Sequence, residues 1–570
     1  MQERPTIRIW ELVVLAVVTG GLVWLCLGYI QAHPESLPEH SGRSIQKGVV
    51  VWLRLASGLP LLADDYPPLS FLVSAACYAL FGFSHLVALG SQVLFLPPLL
   101  AGAWWIGREL GGRGGGMLCL LAAAGNPWLP INLTAYFLEV GTLAMVAVFF
   151  ALLLASRGGR VPGPTLALGL VLALGMLSKW SFLFFTAPAL LWPLFLAWKA
   201  GRGSQILVLG SLACLALTAT LFQDGPPTTD PVFPVVPFVR ATGAWAWLAV
   251  AAAWIRRRDG WSPGVGLSWA FTLAFLVCGW WYFLSASVLL YKAGSDLAQN
   301  FPMREALGVM TGTLGTSIWL APVWLALGTV AGLAIRPLRI PTLLLLGGIL
   351  APTVIYSLAG VPPHPRYILP ATVLVTSLGF GWWGRIRWLP PLLAPGVLLL
   401  GMYQLGVSFP ERFTPSHRWT LGLTGHGELS WFIPRYNRVG IPDREIGPIA
   451  ERVLAEMEKS RELRITTLVQ PGARGNVDGL MFEGLLRQRV VLVENFMSAD
   501  PAPHPTTSLV LIVGQPEIQG TWLSEYEAIA TWSEGPAAPW TLYRHPTRRE
   551  LHQTKEGSEH LPWPKPLLGS

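Results

Sequence analysis

The chain has 570 residues, of which 52% are hydrophobic and 13% charged, and long apolar runs recur through its first 410 residues. That balance excludes a soluble protein built round one core and indicates a membrane protein that crosses the bilayer many times. The formal net charge of +8 belongs to the apolar part: residues 1–408 hold 23 Lys and Arg against 13 Asp and Glu, and residues 409–570 hold 17 against 19. The basic balance therefore gives no reason to expect a nucleic-acid partner.

Taken from the N-terminus, MQERPTIRIW leads into an apolar run to about residue 30. It is too long for a signal-peptide core and no small-residue cleavage site follows, so it is expected to be a retained signal anchor. Basic residues accumulate in cytoplasmic loops, and here they form clusters at Arg4/Arg8, Arg108/Arg113, Arg157/Arg160, Lys199/Arg202, Arg256/Arg257/Arg258, Arg336/Arg339 and Arg385/Arg387. A segment that is cytoplasmic at both ends crosses an even number of times, so each interval between clusters is most simply a hairpin. Six hairpins and the run 389–409 give about 13 transmembrane helices, with the N-terminus cytoplasmic and residues 409–570 on the outer face. The first interval holds one apolar run too many, and 67–83 is assigned to a helix at the outer surface.

The first outer loop and its interfacial helices occupy 31–84. IQKGVVVWLRL within it reads as a surface helix, and the loop carries Glu35, Glu39, His40, Asp64 and Asp65. The outer apices that follow include NPWLPINLTAYFLE (126–139), LSKWS (177–181) and PPHPRY (362–367). GGRGGG at 111–116 lacks the Lys-Ser/Thr ending of a phosphate loop and falls at a cytoplasmic turn, which leaves a nucleotide site without support. Beyond residue 408, DREIGPIAERVLAEMEKS has helical spacing behind an Asp443 cap. RITTLV, RVVLVEN and SLVLIV read as strands, and NVDGLMFEGLLRQ as a second helix, which together predict a compact α/β domain over 409–570.

Five cysteines, at 26, 77, 119, 214 and 278, lie in apolar segments without CxxC spacing, and neither a disulfide framework nor a thiolate metal site is indicated. Apart from the N-terminal Glu11, two ionisable side chains are embedded in long apolar runs: Glu139 and Lys179. A charge near a bilayer centre costs roughly 2.5 to 3.5 kcal/mol on insertion scales. Singly, each can also be read as an interfacial or snorkelling residue. The hairpin topology places both on the same outer face, where a carboxylate and an ammonium make a candidate site. Glu139 is expected within two turns of a helix start capped by Thr134, where the helix dipole favours its ionised form. His364 and Arg366 open the twelfth span, where Arg366 either anchors the helix to lipid phosphates or recognises one anionic lipid.

An acidic first outer loop ending in DDYPPLSFLVSAACYALFG, then AYFLE, GMLSKWSFLFF and HPRYILP, in that order, resembles the GT-C fold glycosyltransferases. Within them it is most similar to the family-39 group, which includes protein O-mannosyltransferases and lipid A aminoarabinose transferases. The resemblance covers roughly residues 8–410. It implies transfer of a sugar from a polyprenyl-phosphate carrier to a lipid, glycan or protein acceptor on the outer face; the periplasm-like C-terminal domain points to a bacterial inner membrane. It implies a base among Glu35, Glu39, Asp64 and Asp65, a second acid at Glu139, and donor-phosphate contacts from Lys179, Arg366 and His364. No cofactor is required for that chemistry; a divalent metal is used by some GT-C enzymes, but no dedicated ligand cluster is apparent here. Two other classes fit the bare pattern of spans and embedded charges: a lipid or lipid-linked-sugar flippase, and a non-catalytic assembly protein.

Overall fold

A computed structural model describes residues 7–32, 42–62, 66–223, 233–286, 302–315, 321–358 and 365–408, together with 64, 288, 289 and 317. In the C-terminal part it describes 446–460, 464–469, 492–496, 509–513, 526–532 and 540–545, with 485 and 523. The chain is a polytopic helical bundle followed by an α/β region. The helices run α1 (Ile9–Ala32), α2 (Gly42–Ala56), α3 (Leu69–Phe81), α4 (His85–Gly90), α5 (Leu96–Ala124), α6 (Trp128–Thr134), α7 (Glu139–Ala155), α8 (Pro162–Ser178) and α9 (Phe182–Lys199). They continue as α10 (Arg202–Gln223), α11 (Val235–Asp259), α12 (Pro263–Leu284), α13 (Met303–Gly315), α14 (Ala321–Ala334), α15 (Arg339–Leu358), α16 (Pro365–Phe380) and α17 (Leu389–Ser408).

Among the described residues, seven helical segments are long and apolar enough to cross a membrane, and five shorter apolar helices accompany them. One of the seven, His85–Ala124, reverses on itself. Gly111 (φ −137°) and Gly112 (φ 71°) leave the helical region, and beyond them Gly115 and Cys119 face Gly107 while Gly116 faces Trp104 and Arg108. The GGRGGG run is thus the turn of a helical hairpin. Gly111 and Gly115 also lie against the Gly381 carbonyl and Gly384 against Gly115, in the 3-10 turn Gly381–Arg385 that follows α16. A β-carbon at these positions would meet backbone, so small residues are what lets the three segments touch.

α7 is central. All its residues except Val148 and Leu152 are buried, and α5, α8, α9 and α16 pack round it. Its 17 residues rise roughly 26 Å, a few ångströms less than the hydrocarbon core. Sheathed by neighbours, it does not have to match the lipid thickness by itself.

The bundle has two chemically distinct ends. At one, Glu11 of α1 is fully buried with Arg108 Nη1 at 3.8 Å and Arg113 Nε at 4.0 Å, and Arg385 Nε donates to the Leu110 carbonyl at 2.8 Å. The other end carries α2, α3 and the apex before α7.

In the C-terminal region the expected first helix is α18 (Ile446–Ser460), and the three expected strands are β1 (Arg464–Val469), β2 (Leu492–Phe496) and β3 (Leu509–Val513). Two further strands, β4 (Glu527–Trp532) and β5 (Trp540–Arg544), complete a sheet of order β2-β1-β3-β5-β4. β1 pairs in parallel with β2 and β3, and β5 pairs antiparallel with β3 and β4. The expected second helix, 476–488, lies outside the described residues except for Leu485. Glu456 of α18 is buried and receives Arg544 Nη2 of β5 at 2.8 Å, which clamps helix to sheet. One buried apolar cluster contains Ile449, Val453 and Leu454 of α18 with Leu511 and Leu542 of the sheet, and also Val49, Trp52, Phe71 and Tyr136.

Candidate active site

Glu139 owes its position to a break in the chain. The sequence predicts it inside a helix capped by Thr134; instead Thr134 ends α6, its hydroxyl donating to the Pro130 carbonyl at 2.9 Å, and Glu139 is the first residue of α7. Between them Tyr136 takes φ 53°, a left-handed conformation that costs a non-glycine residue roughly 1–2 kcal/mol. The fully buried ring offsets that cost: its hydroxyl lies 2.7 Å from Ser74 Oγ, which is 2.8 Å from Ser91 Oγ. The apex is thereby tied to α3, and Glu139 starts its helix where the exposed backbone N–H groups favour a negative charge.

Lys179 sits at a second break. It follows α8 in an extended conformation, φ −164° and ψ 136°, and the Phe182 ring lies against Gly175, leaving no room there for a side chain. The chain resumes helix through Phe182 N–H donating to the Lys179 carbonyl at 3.0 Å. Lys179 therefore points across to α7, where Nζ donates to Glu139 Oε1 at 2.7 Å. One turn deeper, Thr142 and Ser178 hydroxyls are 3.2 Å apart, fixing the register of α7 on α8.

Arg366 enters from the start of α16, with its Nε 3.5 Å from the same Glu139 Oε1. The three side chains are 6% (Glu139), 8% (Lys179) and 20% (Arg366) exposed, so all three are largely removed from solvent. Aromatic rings surround it. Lys179 Nζ lies 4.9 Å from the Tyr367 ring centre, and the Arg366 guanidinium lies 5.1 Å from Phe137 and 5.6 Å from Tyr367. Tyr367 stacks on Tyr356 at 5.5 Å, and Tyr356 meets Phe184 edge-on at 5.4 Å. Among the described residues the cluster sets one carboxylate against two cations, in a setting where charges are only weakly screened.

The first outer loop approaches this cluster through Tyr66, close enough to Arg366 for an electrostatic interaction. Asp64, a sequence candidate for the base, accepts from Lys47 Nζ at 2.5 Å and from the Tyr66 N–H at 2.9 Å, and its own N–H donates to Ser285 Oγ at 3.2 Å. Lys47 also lies 4.9 Å from the Tyr66 ring centre. Asp64 thus ties the helix α2 to the loop and to the end of α12. Glu35, Glu39, Asp65 and His364 lie outside the described residues. Among the described residues no group of three or more His, Cys, Asp and Glu could hold a metal ion.

Of the sequence candidates, the structure brings together Glu139, Lys179 and Arg366, three residues separated by 40 and 187 positions in the chain, and sets Asp64 beside them through Tyr66. The sequence reading did not single out Lys47, Tyr66, Tyr356 or Tyr367. Tyr66 and Tyr367 were within reach, because each adjoins a residue already chosen; Lys47 and Tyr356 carry no local signal, since their role arises from packing between distant segments. The arrangement can bind an anionic group, hold it beside a carboxylate, and keep both partly out of water.

No protein-family profile matches the chain, and no curated protein does. Solved structures to which it is similar include the crystal structure of ArnT from Cupriavidus metallidurans bound to undecaprenyl phosphate, at 13% identity over 96% of this chain and 100% of that one, TM-score 0.33. The same protein in the apo state matches at 14% identity over 94% and 97%, TM-score 0.33.

Proposed function

We propose that the chain is an integral-membrane glycosyltransferase of the GT-C type, moving a sugar from a polyprenyl-phosphate carrier to a hydroxyl-bearing acceptor at the outer face. The observation that carries this reading is the Glu139–Lys179–Arg366 cluster, formed where three helices begin or end. Two cations suit a phosphate leaving group. As the acceptor oxygen bonds to the anomeric carbon, the carbon–oxygen bond to phosphate breaks, its electron pair passes to the phosphate, and Lys179 and Arg366 stabilise the growing negative charge. The hydroxyl proton passes to a carboxylate, either Glu139 or an acid of the first outer loop.

The order of motifs in the sequence supports the same reading, as does the clustering of Glu139, the first-loop helices and the C-terminal α/β domain at one end of the bundle. The basic groups at Arg108, Arg113 and Arg385 occupy the opposite end. That separation accords with a cytoplasmic N-terminus and an extracytoplasmic C-terminal domain.

The test is transfer in proteoliposomes from a polyprenyl-phosphate sugar, followed as release of the polyprenyl phosphate. Glu139→Gln and Lys179→Ala are each expected to lower the rate by about 100-fold or more. Unchanged rates in both would exclude the site. Movement of the lipid between leaflets without consumption would identify a flippase instead.

A further inference from the structure

We propose that Glu139 is an internal competitor for the donor phosphate: with the site empty it occupies the two cations, and the arriving phosphate displaces that pairing and so turns Glu139 into the base. The inference rests on the donor-phosphate reading given above and adds to it an order of events.

The geometry behind it is the convergence of both cations on a single carboxylate oxygen, Lys179 Nζ at 2.7 Å and Arg366 Nε at 3.5 Å from Oε1. An ammonium and a guanidinium brought close to one point from two different elements are what a phosphate oxygen would require. Glu139 fills that point from within the protein. While it does so, the oxygen it would offer a hydroxyl proton accepts from Lys179 instead. A lipid phosphate that reaches the two cations comes within a few ångströms of the carboxylate. Two negative charges that close repel, and more strongly where water is excluded. The carboxylate relieves that repulsion by yielding Lys179 and accepting a proton, and the acceptor hydroxyl supplies one as its oxygen attacks the anomeric carbon. Donor binding and base activation thereby become one event, and water entering before the donor meets a carboxylate already engaged.

A simple competitor makes a prediction that a simple catalytic acid does not: removing its charge tightens donor binding while abolishing transfer. The probe is farnesyl methyl phosphate, a single-charged phosphodiester, with farnesol as the uncharged control, titrated into purified full-length protein in detergent and read by native mass spectrometry. Wild type is expected to prefer the phosphodiester. Glu139→Gln is expected to bind it about tenfold more tightly with farnesol affinity unchanged, and Glu139→Asp, which keeps the charge but retracts it by one methylene, to tighten it less. Lys179→Ala is expected to weaken it. Because Glu139→Gln leaves two buried cations facing each other, its thermal midpoint without ligand is expected to fall and to recover further than that of wild type when the phosphodiester is added. If Glu139→Gln binds no more tightly and Lys179→Ala still binds more weakly, the phosphate site stands and the competition is wrong. If neither wild type nor Glu139→Gln distinguishes phosphodiester from alcohol, the donor-phosphate reading falls and this inference falls with it.

Discussion

At Glu139 the energetics are those of a buried ion pair. Removing one partner leaves an uncompensated charge and costs about 3–5 kcal/mol, whereas replacing both by neutral groups of similar volume is often close to neutral. Glu139→Gln, which removes the carboxylate that both cations face, is therefore expected to lower the thermal midpoint in detergent sharply, and Glu139→Gln/Lys179→Met, which also removes one of those cations, to restore part of the loss; additive losses in the double variant would show that the two side chains do not interact. Asp64 presents the opposite case. Its pair with Lys47 is 20% and 27% exposed, so screening by solvent limits its worth. Asp64→Asn is expected to shift stability by less than about 1 kcal/mol, a value that a denaturation series can check.

The site depends on elements that stop at the right residue. α6 ends so that Glu139 can begin α7, and α8 ends so that Lys179 can leave the helix. Both breaks fall in stretches whose apolar character alone would let a helix continue; what ends them is the left-handed Tyr136 anchored by Ser74, and Phe182 packed over Gly175. The hairpin inside α5 works by the same principle with glycine. Gly115→Ala would drive a β-carbon into the backbone of Gly107 and Gly381, and overpacking of that kind costs about 1–3 kcal/mol. Gly112 has open space around its missing β-carbon but a φ of 71°, so Gly112→Ala should cost about 1 kcal/mol through the backbone alone. A thermal-shift series of the two variants that ranked Gly112→Ala as the more damaging would contradict the close packing of α5 on the Gly381 turn.

Across the whole molecule, charge is sorted by end. The pairing of Glu11 with Arg108 and Arg113 lies at one end, and the Glu139 cluster with α2 and α3 at the other. This separation predicts a topology, which can be measured with single cysteines added to a cysteine-free background. Exposed Ser84, before α4, and exposed Arg160, before α8, are expected to label from opposite sides of sealed vesicles, Ser84→Cys from the outer face and Arg160→Cys from the cytoplasmic one. Labelling of both from the same side would break the hairpin alternation on which the position of the site depends.

The apolar character of the helical segments and the amphipathic spacing of α18 are properties of residues close together in the chain, and the sequence by itself determined them. It also determined that Glu139 and Lys179 required an explanation, because an ionisable residue in an apolar run is costly wherever the run packs. The tertiary structure decided what the explanation is. That Arg366 reaches the same oxygen as Lys179, that Asp64 is engaged by Lys47, and that tyrosines from α15 and α16 enclose the cations are consequences of contacts between segments far apart in sequence. No local pattern encodes them, since each residue's partner is chosen by how the helices pack and where they stop.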